Sequence, residues 1–154
     1  MEKSGKQELI ELENQNKYVF HGSGFLIEEF EPRQAYNYIE GQNVPDRKPA
    51  IFASSFANYA IFMALINEVN CPKGYNSGSR FHEGKLVFRA TKETLEQLKA
   101  EVKGYVYVFN SSDFLKQNES EWVSYKKVKP ILVISVTRSD FTPTIKEVEC
   151  TENE

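Results

Sequence analysis

Three short stretches carry residue types that can do chemistry. His21-Gly22-Ser23 directly follows a β-branched and aromatic run, residues 17–21, that reads as a strand. A histidine at a strand end can bond a ligand hydroxyl, and a glycine beside it lets backbone amide and carbonyl approach the ligand itself. Phe52, Phe56 and Tyr59 form an aromatic group where a strand runs into a helix. It offers a face for a planar, cationic ring, an interaction of roughly 0.5–2 kcal/mol. Glu119-Ser120-Glu121 sets two carboxylates at i and i+2 at the start of a strand, hence on one face. Like charges there are unfavourable on a plain solvent strand, and a carboxylate so placed can stabilise an oxocarbenium-like transition state. Each stretch also has a plainer reading: an exposed turn, core packing and a solvated loop end.

Other chemistries find no support. His82-Glu83 lacks a third ligand, so no metal is expected. Asp113 has no histidine or serine at a useful spacing, and no hydrolase triad assembles. There is no phosphate-binding P-loop, no dinucleotide glycine fingerprint and no Cys-x-x-Cys.

The elements that must position these residues are organised around residues 50–66, a buried strand leading into an almost wholly apolar helix. Ser55 is the expected N-cap and the breakers of 70–74 the expected end. Phe56, Ala60 and Met63 read as one buried stripe of that helix, and Phe62, Ile66 and Val69 as another. Further strands are expected over 84–90, 105–109, 121–125 and 130–136, the last of them central, with a short helix capped by Thr91. Residues 1–16 read as a frayed or short helical leader, 34–38 as a helical turn, and 138–154 as a wandering acidic tail.

The chain has 154 residues, 40% of them hydrophobic and 13% aromatic, so a single globular domain over 1–154 with its core at about 17–137 is expected. A net charge of −3 gives no general pull toward nucleic acid or anionic membrane. Cys71 and Cys150 read as free thiols. No apolar run reaches bilayer length and the first residues carry no apolar signal region, so a cytoplasmic protein without membrane partners is expected. Few helices and about six strands in mixed order point to an α+β domain with split sheets.

The order of the three stretches resembles the ADP-ribosyltransferase superfamily, nearest the His-Tyr-Glu branch of poly(ADP-ribose) polymerases and diphtheria toxin. Tyr18-Val-Phe-His-Gly-Ser23 looks like its first motif, Ile51-Phe-Ala-Ser-Ser-Phe-Ala-Asn-Tyr59 its second, and Glu121-Trp-Val-Ser-Tyr125 its third. The resemblance spans roughly 17–137, with about twenty specific positions. It implies a split β-sandwich of two small, roughly perpendicular sheets with few flanking helices and an NAD cleft. His21 would bond a ribose hydroxyl of the adenosine half. Gly22 would pair with the nicotinamide carboxamide, supported by Ser23, and Tyr59 would stack on the nicotinamide beside Phe52. Glu121 would hold the nicotinamide-ribose 2′-hydroxyl and stabilise the cationic sugar.

Two positions depart from the pattern. Ile51 replaces the first tyrosine of the second motif, and Phe56 the carboxamide-binding serine, for which Ser54 or Ser55 would substitute. Glu119-Ser-Glu121 also matches the two-glutamate pattern of the arginine-modifying branch, where the first glutamate positions the acceptor; that branch's Arg and Ser-Thr-Ser signatures are missing. The activity implied is mono-ADP-ribosyl transfer from NAD, as substrate, to an unknown protein or nucleic-acid acceptor, or NAD hydrolysis. The alternatives are a non-enzymatic or NAD/nucleotide-binding module on the same fold and, third, an RNA 2′-phosphotransferase-like enzyme.

Overall fold

The structure, a computed structural model, describes residues 4–149 except 33, 35, 46 and 47. Cys150 and residues 151–154 lie outside the described residues, and with them the expectation that Cys150 is a free thiol. The chain order is α1 (Gly5–Glu13), β1 (Tyr18–Ser23), β2 (Tyr36–Ile39), β3 (Gln42–Pro45), β4 (Ile51–Ala53) and α2 (Ala57–Leu65). There follow β5 (Ser77–His82), β6 (Lys85–Thr91), α3 (Lys92–Glu96), β7 (Lys103–Asn110), β8 (Leu115–Lys116), β9 (Trp122–Ser124), β10 (Leu132–Thr137) and β11 (Ile145–Val148). Single 3₁₀ turns lie at Ser111–Asp113 and Arg138–Asp140.

The fold is α+β with small sheets and few helices. Strands β1, β7 and β10 form an antiparallel sheet in that order. β4, β9 and β8 form a second, β11, β6 and β5 a third with β11 parallel to β6, and β2 and β3 pair as a hairpin. Among the described residues no helix is long and apolar enough to cross a membrane.

Alternation along β1 and β7 makes the first sheet a partition between two cores. Phe20, Val106 and Val108 face one side, where Ala57, Ala60, Ile61, Phe62, Ala64 and Leu65 of α2 cover them. Val19, Tyr107 and Phe109 face the other, against Phe30, Ile51 and Phe114. The first core extends through Phe62, whose ring lies 4.9 Å from that of Phe88 and 5.5 Å from that of Phe141. Helix α2 comes so near the sheet that a Cβ on Gly22 would overlap the Ala60 carbonyl oxygen, and one on Gly104 the Ala64 carbonyl oxygen. Both glycines are the contact points of helix on strand.

Several local expectations are replaced. Residues 1–16 are not a frayed leader where they are described: α1 has a capping box between Ser4 and Gln7, and Leu9 is fully buried in the core. Residues 36–39 form a strand rather than a helical turn. The segment after 137 supplies Phe141 to the core and β11 to a sheet. Strand β10 is an edge, not the centre, because β7 lies between it and β1. Helix α2 ends at Leu65 with Phe56, not Ser55, at its N-cap. Met63 and Val69, taken for core, are 45% and 51% exposed.

If the glycine contact fixes α2, Gly104→Ala, whose site lies away from the cavities described below, lowers the unfolding free energy by about 2–3 kcal/mol in chemical denaturation, the upper part of the usual range for overpacking. A loss under about 0.5 kcal/mol, the scale of an indifferent surface change, would show that the contact is slack.

Candidate functional site

The site begins where two strands that start to pair stop pairing. Phe20 N–H donates to the Ser54 carbonyl (2.7 Å) and Ser54 N–H to the Phe20 carbonyl (2.8 Å). A regular antiparallel ladder would next join Gly22 to Phe52. It does not, because the Phe20–Ser54 bridge is isolated. The Phe52 carbonyl instead lies 2.6 Å from His21 Nδ1. A carbonyl only accepts, so Nδ1 carries the proton and Nε2 is the acceptor of the neutral ring. The histidine side chain thus takes the carbonyl that a ladder would give to the Gly22 amide. In β1 the backbone groups of Gly22 point the same way as those of Phe20, two residues earlier. They are aimed out of the sheet, into the gap that the interrupted ladder opens.

Other elements wall that gap. β9 pairs with β4 so that Ala53 faces Trp122, which puts Glu121 beside Ser54. The row Phe20, Ser54, Glu121 therefore spans two strand spacings, about 10 Å. Glu121 is half-buried and its backbone is pinned. Its N–H donates to Asn118 Oδ1 (3.0 Å), and its carbonyl accepts from Gln117 N–H (2.8 Å). Tyr59, half-buried in the first turn of α2, and Met63 one turn later project from the same helix face over the gap. Together His21, Gly22, Phe52, Ser54, Tyr59, Met63 and Glu121 line a cavity of about 310 Å³.

A second cavity of about 410 Å³ adjoins it and shares His21, Gly22, Phe52 and Met63. Ser23, Gly24, Phe25 and Phe30 belong to this compartment. The Ser23 hydroxyl donates to the Phe25 carbonyl (2.8 Å) and accepts from the Phe25 N–H (3.2 Å), closing the turn after β1. The chain from 25 to 31 is tied across the sheet by Ile27 N–H donating to the Tyr107 hydroxyl (2.6 Å) and by a bridge of Phe30 to Val128. Phe30 meets the His21 ring edge-on at 5.1 Å. At its far end Glu31 pairs with Lys127 at 2.9 Å, a hydrogen bond that raises the Lys127 pKa.

No protein-family model matches this chain, and no curated protein or solved structure is significantly similar to it.

Of the residues singled out in the sequence, His21, Gly22, Phe52, Ser54, Tyr59 and Glu121 come together on one cavity, and Ser23 lies next to it. Three are placed otherwise than expected. Glu119 is exposed, lines neither cavity and does not share a strand face with Glu121. Asn118 Oδ1 accepts from both Ser120 N–H and Glu121 N–H, so 118–121 is a tight turn and the strand starts only at Trp122. Ser54 lines the cavity, yet it is 1% exposed and its hydroxyl accepts the Phe56 N–H (3.1 Å), which makes it a support for the start of α2. Phe56 turns away, its ring 5.8 Å from that of Phe81.

Met63 was legible only as core. Its signal is the i, i+4 spacing from Tyr59, which places the two side by side once one of them faces a cavity.

A cavity-facing ring and a core ring respond differently to truncation. Tyr59→Ala should change the unfolding free energy by about 1 kcal/mol or less, whereas Phe62→Ala should cost about 3–5 kcal/mol. Urea denaturation of the two variants measures the difference; equal losses would assign Tyr59 to the core.

Proposed function

We propose that the chain is an NAD-dependent mono-ADP-ribosyltransferase with the split-sheet fold of that superfamily. The observation that supports this reading is the gathering of His21, Gly22, Tyr59 and Glu121, from three separate stretches, around one cavity. The adjoining compartment, reached past His21 and Gly22, suits an elongated ligand with a ring at each end.

In this reading the carboxamide of nicotinamide pairs with the outward-facing N–H and C=O of Gly22, as a further strand would. The pyridinium ring stacks on Tyr59 with Phe52 beside it. His21 Nε2 accepts from a ribose hydroxyl of the adenosine half. The Glu121 carboxylate accepts from the 2′-hydroxyl of the nicotinamide ribose. When the bond between the anomeric carbon and nicotinamide breaks, its electron pair leaves with the nicotinamide, which departs neutral. Positive charge develops on the anomeric carbon and ring oxygen, and Glu121 stabilises it. A nucleophile of the acceptor, or water, then attacks that carbon and loses its proton.

Ile51 and Phe56 favour a second reading, a nucleotide-binding module on the same scaffold. Ile51 is 4% exposed and packs in the second core, and Phe56 faces Phe81, so neither supplies another ring against the ligand.

Glu121→Gln separates the two. It keeps size and most hydrogen bonding and removes the charge. The loss then falls on kcat rather than on binding, because the charge acts on the transition state. NAD affinity by calorimetry should be nearly unchanged and nicotinamide release should fall on the order of 100-fold or more. Glu119→Gln should leave NAD hydrolysis intact and impair transfer to an acceptor if Glu119 positions the acceptor. NAD binding without turnover by the wild type would favour the module; equal turnover by wild type and Glu121→Gln would remove Glu121 from the chemistry.

A further inference from the structure

Helix α2 begins without a cap of its own. Its N-cap residue Phe56 has no side chain that can accept, and no acidic residue lies in its first turn. Two side chains of α1 make up the difference. The Glu13 carboxylate accepts the Ala57 N–H, and Lys6 Nζ donates to Asn58 Oδ1. These are the two residues immediately before Tyr59. A carboxylate at that place also opposes the positive end of the helix dipole.

Helix α1 is itself fixed by the end of β10 and the chain that follows it. Lys6 N–H donates to Asp140 Oδ1 (3.1 Å), Lys6 Nζ donates to Thr142 Oγ1 (2.9 Å), and a Cβ on Gly5 would come within 2.6 Å of the Ser135 carbonyl oxygen. Burial lowers the Lys6 pKa, and the Glu13 and Asp140 charges act against that shift, so both carboxylates lie close to this amine. A bracket thus runs from the end of β10 and its following turn, through α1, to the first turn of α2.

We propose that Glu13, with Lys6 beside it, is a positioning residue for Tyr59: α1 holds the first turn of α2 in the register that keeps the tyrosine ring over the cavity. The consequence for NAD rests on the reading of Tyr59 given above, whereas the effect on the first turn does not.

Amide hydrogen exchange and NAD calorimetry on the full chain test the two separately. In Glu13→Ala, exchange at Ala57 and Tyr59 should quicken about fivefold or more, the usual scale for a lost cap, with β7 amides unchanged. Glu13→Gln should stay near wild type, because its amide oxygen still accepts the Ala57 N–H. If Glu13→Ala does not fold, Glu13→Asp, one methylene short, takes its place. NAD Kd should rise about fivefold in Glu13→Ala with kcat at saturation retained, and Glu13→Ala should add nothing to Tyr59→Ala, since it acts through that ring. Unchanged exchange at Ala57 and Tyr59, or losses of affinity that add in the double variant, would overturn the proposal. An exchange response with no NAD binding by the wild type would support the bracket and sink the assignment of Tyr59 to NAD.

Discussion

The near-contact of α2 with the backbones of β1 and β7 is the constraint on which the rest depends. Gly22 and Gly104 remove the two side chains that would hold the helix off, and Ala60 and Ala64 present small surfaces to them. Burial of Phe20, Val106 and Val108 beneath Ile61, Phe62 and Leu65 then follows, and it supplies the apolar contact that holds the arrangement. A helix this close to β1 has its exposed edge beside the strand's end. That edge carries Tyr59 and Met63, so both stand over His21 and the backbone of Gly22.

Gly22 therefore serves packing and the cleft at once. Its missing side chain lets α2 approach, while its N–H and C=O face the opposite requirement, an edge left open. Two strands this close would ordinarily go on pairing. The His21 imidazole prevents it by holding the Phe52 carbonyl at 2.6 Å, and Phe30 braces the ring from behind. The partly buried carbonyl is satisfied by a side chain instead of by a strand. An opening then persists in which backbone groups are directed at whatever enters.

The residues that meet at this opening were readable in the sequence because chemistry and local structure coincide there. A strand ending in His21-Gly22-Ser23, a strand running into a helix with Tyr59 near its start, and Glu121 opening a late strand each leave a local mark. The small-sheet α+β class followed from the alternation of short strands with few helices. What could not be read depends on long-range contact. The frayed leader is a docked helix because Leu9 fits a gap between elements remote in sequence, which its weakly amphipathic stretch does not announce. β11 pairs in parallel with β6 across more than fifty intervening residues, and such pairing leaves no local periodicity. The Glu119–Glu121 pairing on one strand face failed for a local reason that carries more weight: Asn118 turns the chain and delays the strand.

The start of α2 shows how tertiary contacts can override local rules. A short apolar helix with Phe56 at its N-cap breaks the usual preference for Ser, Thr, Asp or Asn. Ser54 and Ser55 precede it by two and one positions, but Ser54 is committed to bridging Phe20 with its backbone and to holding the Phe56 N–H with its hydroxyl. An earlier helix start would pull Ser54 out of that bridge and close or displace the cleft wall that β4 forms. The helix must begin after the wall ends, and the residue that falls at the cap has no acceptor to offer. Support therefore comes from the side chains of α1. Its docking, which looks peripheral to the cleft, is in this sense part of the cleft's construction.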